Sequence, residues 1–126
     1  MGLLMTTLKG ANEVPPANDP QASGTALVRL NPGQGTVCFD ISWSNVPGTV
    51  LHAHIHKAPA GTAGPIVVPL FNGSFAGTAS DSGCVTAARE LIDAIIQDPG
   101  AYYVNIHSTV YPGGAARGQL DHPGEG

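Results

Sequence analysis

Charge is the first thing this sequence is short of. Acidic and basic side chains make up 11% of its 126 residues, and only five are Lys or Arg. A net charge of -4 with so few cations leaves no basic stripe for phosphate contacts, which excludes nucleic acid as a partner. Long apolar runs are missing too: none reaches the roughly 18 residues of a membrane-spanning helix. No G-x-G-x-x-G or phosphate-binding loop occurs. Gly73-Ser74-Phe75-Ala76-Gly77 departs from the G-x-S-x-G of a nucleophile elbow. Cysteine is scarce, with Cys38 and Cys84 alone. An even pair in a small glycine-rich domain suggests a disulfide and an oxidising compartment, two buried free thiols being the alternative. Met1-Gly2-Leu3-Leu4-Met5 is too short, and lacks the charged start, for a secretory signal. The chain is therefore expected to be a mature, signal-stripped one.

What is present points to an all-β domain. The chain is 42% hydrophobic, with 17 Gly and 11 Pro, a composition of many turns joining short strands around one core. We expect a single domain over 1–126, with its body over about 7–120 and a flexible tail over Asp121–Gly126. Its architecture is expected to be a Greek-key-like antiparallel β-sandwich or barrel with one short helix. Strands are expected at Met5–Leu8, Gly24–Leu30, Thr36–Trp43, Leu51–His56, Tyr102–His107 and Ala116–Leu120. Pro65–Phe71 reads as an edge or bulged strand because Pro69 removes a ladder donor. Asn72-Gly73 reads as a hairpin turn, and Asn72-Gly73-Ser74, formally a glycosylation acceptor, as that same turn. The helix is expected over Thr86–Gln97, where Ala88, Leu91, Ile92, Ile95 and Ile96 share a face. Thr86 caps its start and Pro99-Gly100 stops it. Glu90 and Asp93 fall on its solvent side.

Leu51-His52-Ala53-His54-Ile55-His56 carries the chemistry. Side chains alternate along a strand, so the three imidazoles share one face, while Leu51, Ala53 and Ile55 face a core. Same-face neighbours lie roughly 6.6 Å apart, close enough for two imidazoles to meet one ion at about 2.0 Å, but the outer pair is about 13 Å apart. A further ligand must come from elsewhere, and His107 supplies one if its strand lies beside the first. Imidazole ligands suit copper, zinc, nickel or iron, and without Cys or Met in the cluster copper(II) or zinc is expected. Affinity should then fail below about pH 6.5, where free histidine protonates. His122 lies in the tail, outside the cluster. Arg117 has two readings: steering an anion to the metal, or pairing with a carboxylate such as Asp40.

Several motifs together resemble one family. Glu13-Val14-Pro15-Pro16, the His-Ile-His of 54–56, Gly64-Pro65-Ile66-Val67-Val68, Tyr103-Val104-Asn105-Ile106-His107 and Ala116-Arg117-Gly118-Gln119-Leu120 resemble, in order and spacing, the CHRD domain named for chordin. The resemblance runs from about Thr7 to Leu120. It implies a β-sandwich module, usually extracytoplasmic, found singly in bacterial secreted proteins and repeated in chordin. His54, His56 and His107 match the family's motif positions, and His52 is an addition. A looser resemblance is to Cu/Zn superoxide dismutase, in which His54, His56, His107 and Arg117 would take the copper-side roles. Residues 57–101 contain no His, so the zinc loop of that family has no counterpart and only a copper-only site is implied.

The expectation is therefore a secreted, periplasmic or cell-surface domain that binds a transition metal, most favourably copper, through His54, His56 and His107 on an exposed sheet face, with His52 as a candidate further ligand. Redox activity toward a small oxidant, with Arg117 supplying a positive field, is one extension of that reading. A non-catalytic module binding an extracellular protein, its histidines structural, is the competing class. Whether the chain is an enzyme, and its oligomeric state, stay open at this level.

Overall fold

Burial at every second residue runs along β1 (Gly2–Lys9), β2 (Ser23–Asn31) and β3 (Thr36–Ser44), whose inward side chains include Leu4, Leu8, Val28, Leu30, Val37, Phe39 and Ile41. The computed structural model describes residues 2–15 and 21–123. These three strands form an antiparallel meander, and β4 (Val50–Lys57) and β5 (Ile66–Phe75) form a hairpin. β6 (Ala79–Thr86), α1 (Arg89–Gln97), β7 (Tyr102–Ser108) and β8 (Ala116–Gln119) follow.

The eight strands make one antiparallel sheet in the order β5-β4-β7-β8-β1-β2-β3-β6. It curls until its edges, β5 and β6, approach each other, giving the nearly closed barrel with one short helix that the alternation implied. Aromatic rings span the open seam from inside. Trp43 on β3 stacks on Phe71 of β5 at 5.4 Å and meets Phe75 edge-on at 5.7 Å. The Trp43 indole N–H donates to the Ala76 carbonyl at 2.9 Å, satisfying its one polar atom. Ile92 and Ile95 of α1, both 0% exposed, pack into the core. Cys38 and Cys84 stand directly opposite each other on β3 and β6 and form a disulfide.

The structure departs locally from expectation at five points. β5 runs straight through Asn72-Gly73, with Asn72 paired to His52, so there is no hairpin turn there; the chain reverses at 76–78 instead. Pairing along β4 outweighed the turn preference of that dipeptide. β6 had no apolar alternation to announce it, because an edge strand with a largely solvated surface forms on backbone pairing to β3. That strand takes Thr86, so the helix begins at Arg89, with Ala88 before it and no side-chain cap. A register shift between Val50 and His52 puts Val50 in the core in place of Leu51, which is only half-buried. Asp121, expected to fray, exchanges two backbone hydrogen bonds with Met5. The last three residues of the expected tail lie outside those described.

Candidate metal centre

Register builds the site. β4 sets His52 opposite His107, His54 opposite Asn105 and His56 opposite Tyr103 on β7, so all six side chains occupy one face. On the far side of β7, β8 sets Arg117 opposite Asn105. Ala53, Ile55, Val104 and Ile106 point the other way, all 0% exposed in the core.

The expectation of an open sheet face is corrected: it is roofed. Exposure is 8% at His56, 7% at His107, 1% at Asn105 and 3% at Arg117. Three connecting segments cover these residues, and each contributes a contact. The 58–64 loop brings the Gly64 carbonyl to His56 Nδ1 at 2.9 Å. The 109–115 loop brings the Pro112 carbonyl to His107 Nδ1 at 2.9 Å. The segment after β1 brings Glu13, 3% exposed, into the interior. Alternation along a strand reveals which residues share a face, and nothing in it reveals what lies over that face.

These bonds assign the tautomers. A carbonyl only accepts, so His56 and His107 each carry the proton on Nδ1 and leave Nε2 as a lone pair. His107 Nε2 then accepts from His54 Nδ1 at 3.0 Å. His56 Nε2 has no partner, although it is buried. One nitrogen from each of His54, His56 and His107 falls within 4.8 Å of the others, and this is the group among the described residues that could hold an ion. Two of these three histidines have their second nitrogen held by a backbone carbonyl, the kind of outer support that orients imidazoles in metal sites.

His52 stands at the edge of this group, its ring 5.0 Å from that of His107 and 5.2 Å from that of His54. With His54 it lines a cavity of about 320 Å³ walled by Pro69, Leu70, Phe71, Asn72 and Val85 at the seam between β5 and β6. Solvent reaches the histidines from that side. His122 lies outside this group, its backbone N–H donating to Asp121 Oδ1 at 2.8 Å.

Arg117 does not pair with Asp40, which is exposed on β3 opposite Leu27 and Ser82. Its Nε donates to Glu13 Oε1 at 3.1 Å and its Nη1 to the Thr62 carbonyl at 3.0 Å. Asn105 Nδ2 donates to both Glu13 oxygens, at 3.0 and 2.8 Å. Gly114, at φ +138°, passes so close that a Cβ there would strike Glu13 Oε1 and Asn105 Nδ2. Alternation along the sequence puts Tyr103 and Asn105 on the face of His107, but it gives neither them nor Glu13 a role at the site. The signal that could have singled out Glu13 is a lone carboxylate in an apolar, proline-rich segment of a chain with few cations.

Electrostatics keep the imidazoles neutral. Burial lowers His54 to about 4, helped by the neighbouring His107, His56 and His52. Burial likewise lowers His107 to about 4, against the Pro112 carbonyl, which favours its charged form. His56 is lowered chiefly by burial, with Gly64 opposing and the Arg117 charge assisting. Glu13 is pushed up to about 7 by burial, against the pull of Arg117 and Asn105.

The stability consequence follows in sign. The unfolded chain protonates these histidines near 6.5 and the folded one near 4, so their contribution is present above pH 6.5 and is lost as pH falls toward 4. Glu13 opposes this between about 4.5 and 7, where the folded state holds the extra proton. At least two histidines outweigh one carboxyl, so denaturant midpoints measured from pH 7 to pH 4 should fall steadily. A flat profile would contradict the buried neutral cluster.

An eight-stranded, nearly closed antiparallel barrel with a roofed trio of histidines defines a small all-β domain with a metal-site-like cluster. The CHRD domain family matches residues 4–120, nearly the whole length, and the chain belongs to that family. No curated protein and no solved structure matches it.

Proposed function

We propose that this CHRD domain works outside the cytoplasm and binds one transition-metal ion, copper in preference to zinc, through His54, His56 and His107. The observation that carries the reading is His56 Nε2: a buried lone pair with no partner, on a ring whose other nitrogen is fixed by Gly64. A buried polar atom left unsatisfied costs about 1–3 kcal/mol, and an ion is a partner that removes the cost. The donor set fits, since neutral imidazoles suit copper and zinc and copper is the tighter of the two. The Cys38–Cys84 disulfide supports an oxidising compartment.

The dismutase-like extension draws less support. Arg117 would have to lend its charge to an incoming anion, yet that charge faces Glu13 and a backbone carbonyl in the interior. A binding or delivery role fits the roofed site better than a steered enzyme.

Titration of metal-stripped protein with copper(II) and zinc at pH 7 tests the reading. We expect one ion per chain with a dissociation constant below about 1 µM, and His56→Ala weakening it by at least about 100-fold. Binding no tighter than that of an arbitrary histidine-rich surface would return the chain to the interaction-module class. Because His54 and His107 take up a second proton only near 4, copper binding should also persist at pH 5.5, well below the limit of about 6.5 expected for free histidines. Loss of binding between pH 6 and 7 would show ligands of ordinary basicity.

A further inference from the structure

Tyr103 is 1% exposed on the same face as the histidines, and nothing about a core residue requires the company it keeps. Its ring lies parallel to the His56 imidazole, 3° between planes and 4.8 Å between centroids. The Arg117 guanidinium lies over the Tyr103 ring at 3.9 Å. One ring face cannot hold both groups at those distances. The sheet order separates them, since His56 comes from β4 and Arg117 from β8 on opposite sides of β7.

The edges are tied as well as the faces. The Tyr103 hydroxyl accepts the Gly64 N–H at 3.1 Å, while the Gly64 carbonyl accepts His56 Nδ1–H at 2.9 Å. A single residue thus fixes both rings in their planes. Behind Arg117, Glu13 and the Thr62 carbonyl hold the guanidinium flat, and Asn105 holds Glu13.

We infer that Tyr103 is a positioning residue of the histidine centre, clamped between Arg117 and His56 so that its ring fixes the direction of His56 Nε2. The inference rests on the metal reading for its purpose and on the stack for its geometry. Parallel stacking leaves the imidazole free to turn only within its own plane, and the Gly64 bond removes that freedom. The cation on the far face draws on the ring's quadrupole, an attraction that strengthens where water is excluded. Preorganisation of this kind lets a ligand meet an ion without reorienting.

The test compares Tyr103→Phe, which keeps both faces but loses the hydroxyl, with Tyr103→Leu, which loses the ring. Tyr102→Leu, on the same strand but pointing into the core, controls for lost volume. Tyr103→Phe should keep copper(II) affinity within about 3-fold. Tyr103→Leu should weaken it by about 10–100-fold, as loss of an outer-shell support does, and should change the copper(II) electron paramagnetic resonance spectrum. Tyr102→Leu should lower stability and leave that spectrum unchanged. Nitrogen-15 shifts of the metal-free protein supply a readout independent of copper. His56 should be a single Nδ1–H tautomer in the wild type and a mixture in Tyr103→Leu. If Tyr103→Leu does not fold, Arg117→Lys keeps the charge without the flat cover and should move the same two signals. Unchanged spectra and an unchanged tautomer in the folded variant would overturn the inference. A clamp seen in the tautomer of a wild type that takes up no copper would overturn the metal reading alone.

Discussion

Arg117→Ala destabilises the fold by about 3–5 kcal/mol in denaturant titration, an effect large enough to leave much of the chain unfolded at 37 °C. The size comes from what remains behind. Arg117 and Glu13 are 3% exposed each, and removing the cation strands the carboxylate in the interior with only Asn105 to bond it. Glu13, already pushed up to about 7 with Arg117 in place, then has every reason to take a proton, and that protonation limits the loss. The guanidinium also covers the Tyr103 ring and bonds the Thr62 carbonyl, so the 58–64 loop loosens with it. Replacing both charges, as Glu13→Leu with Arg117→Met, should recover most of the stability, because a buried pair contributes little beyond its own desolvation. The double variant therefore separates charge from packing. Equal losses in the single and double variants would mean that the pair acts mainly through the shape of its side chains.

That result bears on why the face was legible and its cover was not. Period-two alternation put His54, His56 and His107 on matching faces of two strands, and pairing of β4 with β7 brought them together. Distance arithmetic along one strand required a ligand from a second strand, and the group of three takes two from β4 and one from β7. Loops carry no such period. Nothing in Glu13-Val14-Pro15 announces that the carboxylate reaches an arginine 104 residues away, so sign alone makes Asp40 as good a partner for Arg117 as Glu13. Asn72-Gly73 misled for a related reason: local turn chemistry is a preference that a ten-residue edge strand, already paired along β4, overrides. The sequence was clear where a residue's role depends on its neighbours in the chain, and silent where it depends on what the fold later lays across it.

Loss of the Cys38–Cys84 bridge is the other large effect. Cys38→Ala with Cys84→Ala should lower stability by about 4 kcal/mol, the chain-entropy value for a closed loop of this length, or roughly 15 °C in Tm for a domain of this size. The bridge joins directly opposed residues of β3 and β6 across 46 positions of sequence. β6 is an edge strand, hydrogen-bonded along one side only, with little apolar surface to hold it. Opening should therefore begin there, and amides of 79–86 should exchange with solvent earlier than those of β2 or β7 in the bridge-free protein. Val85 walls the cavity beside His52 and His54, so the same opening widens the approach to the histidines. The two measurements are linked. If the bridge serves only global stability, exchange of copper at the proposed centre keeps its rate in the variant at temperatures where it stays folded. If β6 also gates the seam, exchange quickens in step with amide exchange of 79–86, and keeping the bridge oxidised becomes a condition for holding the ion as well as for folding.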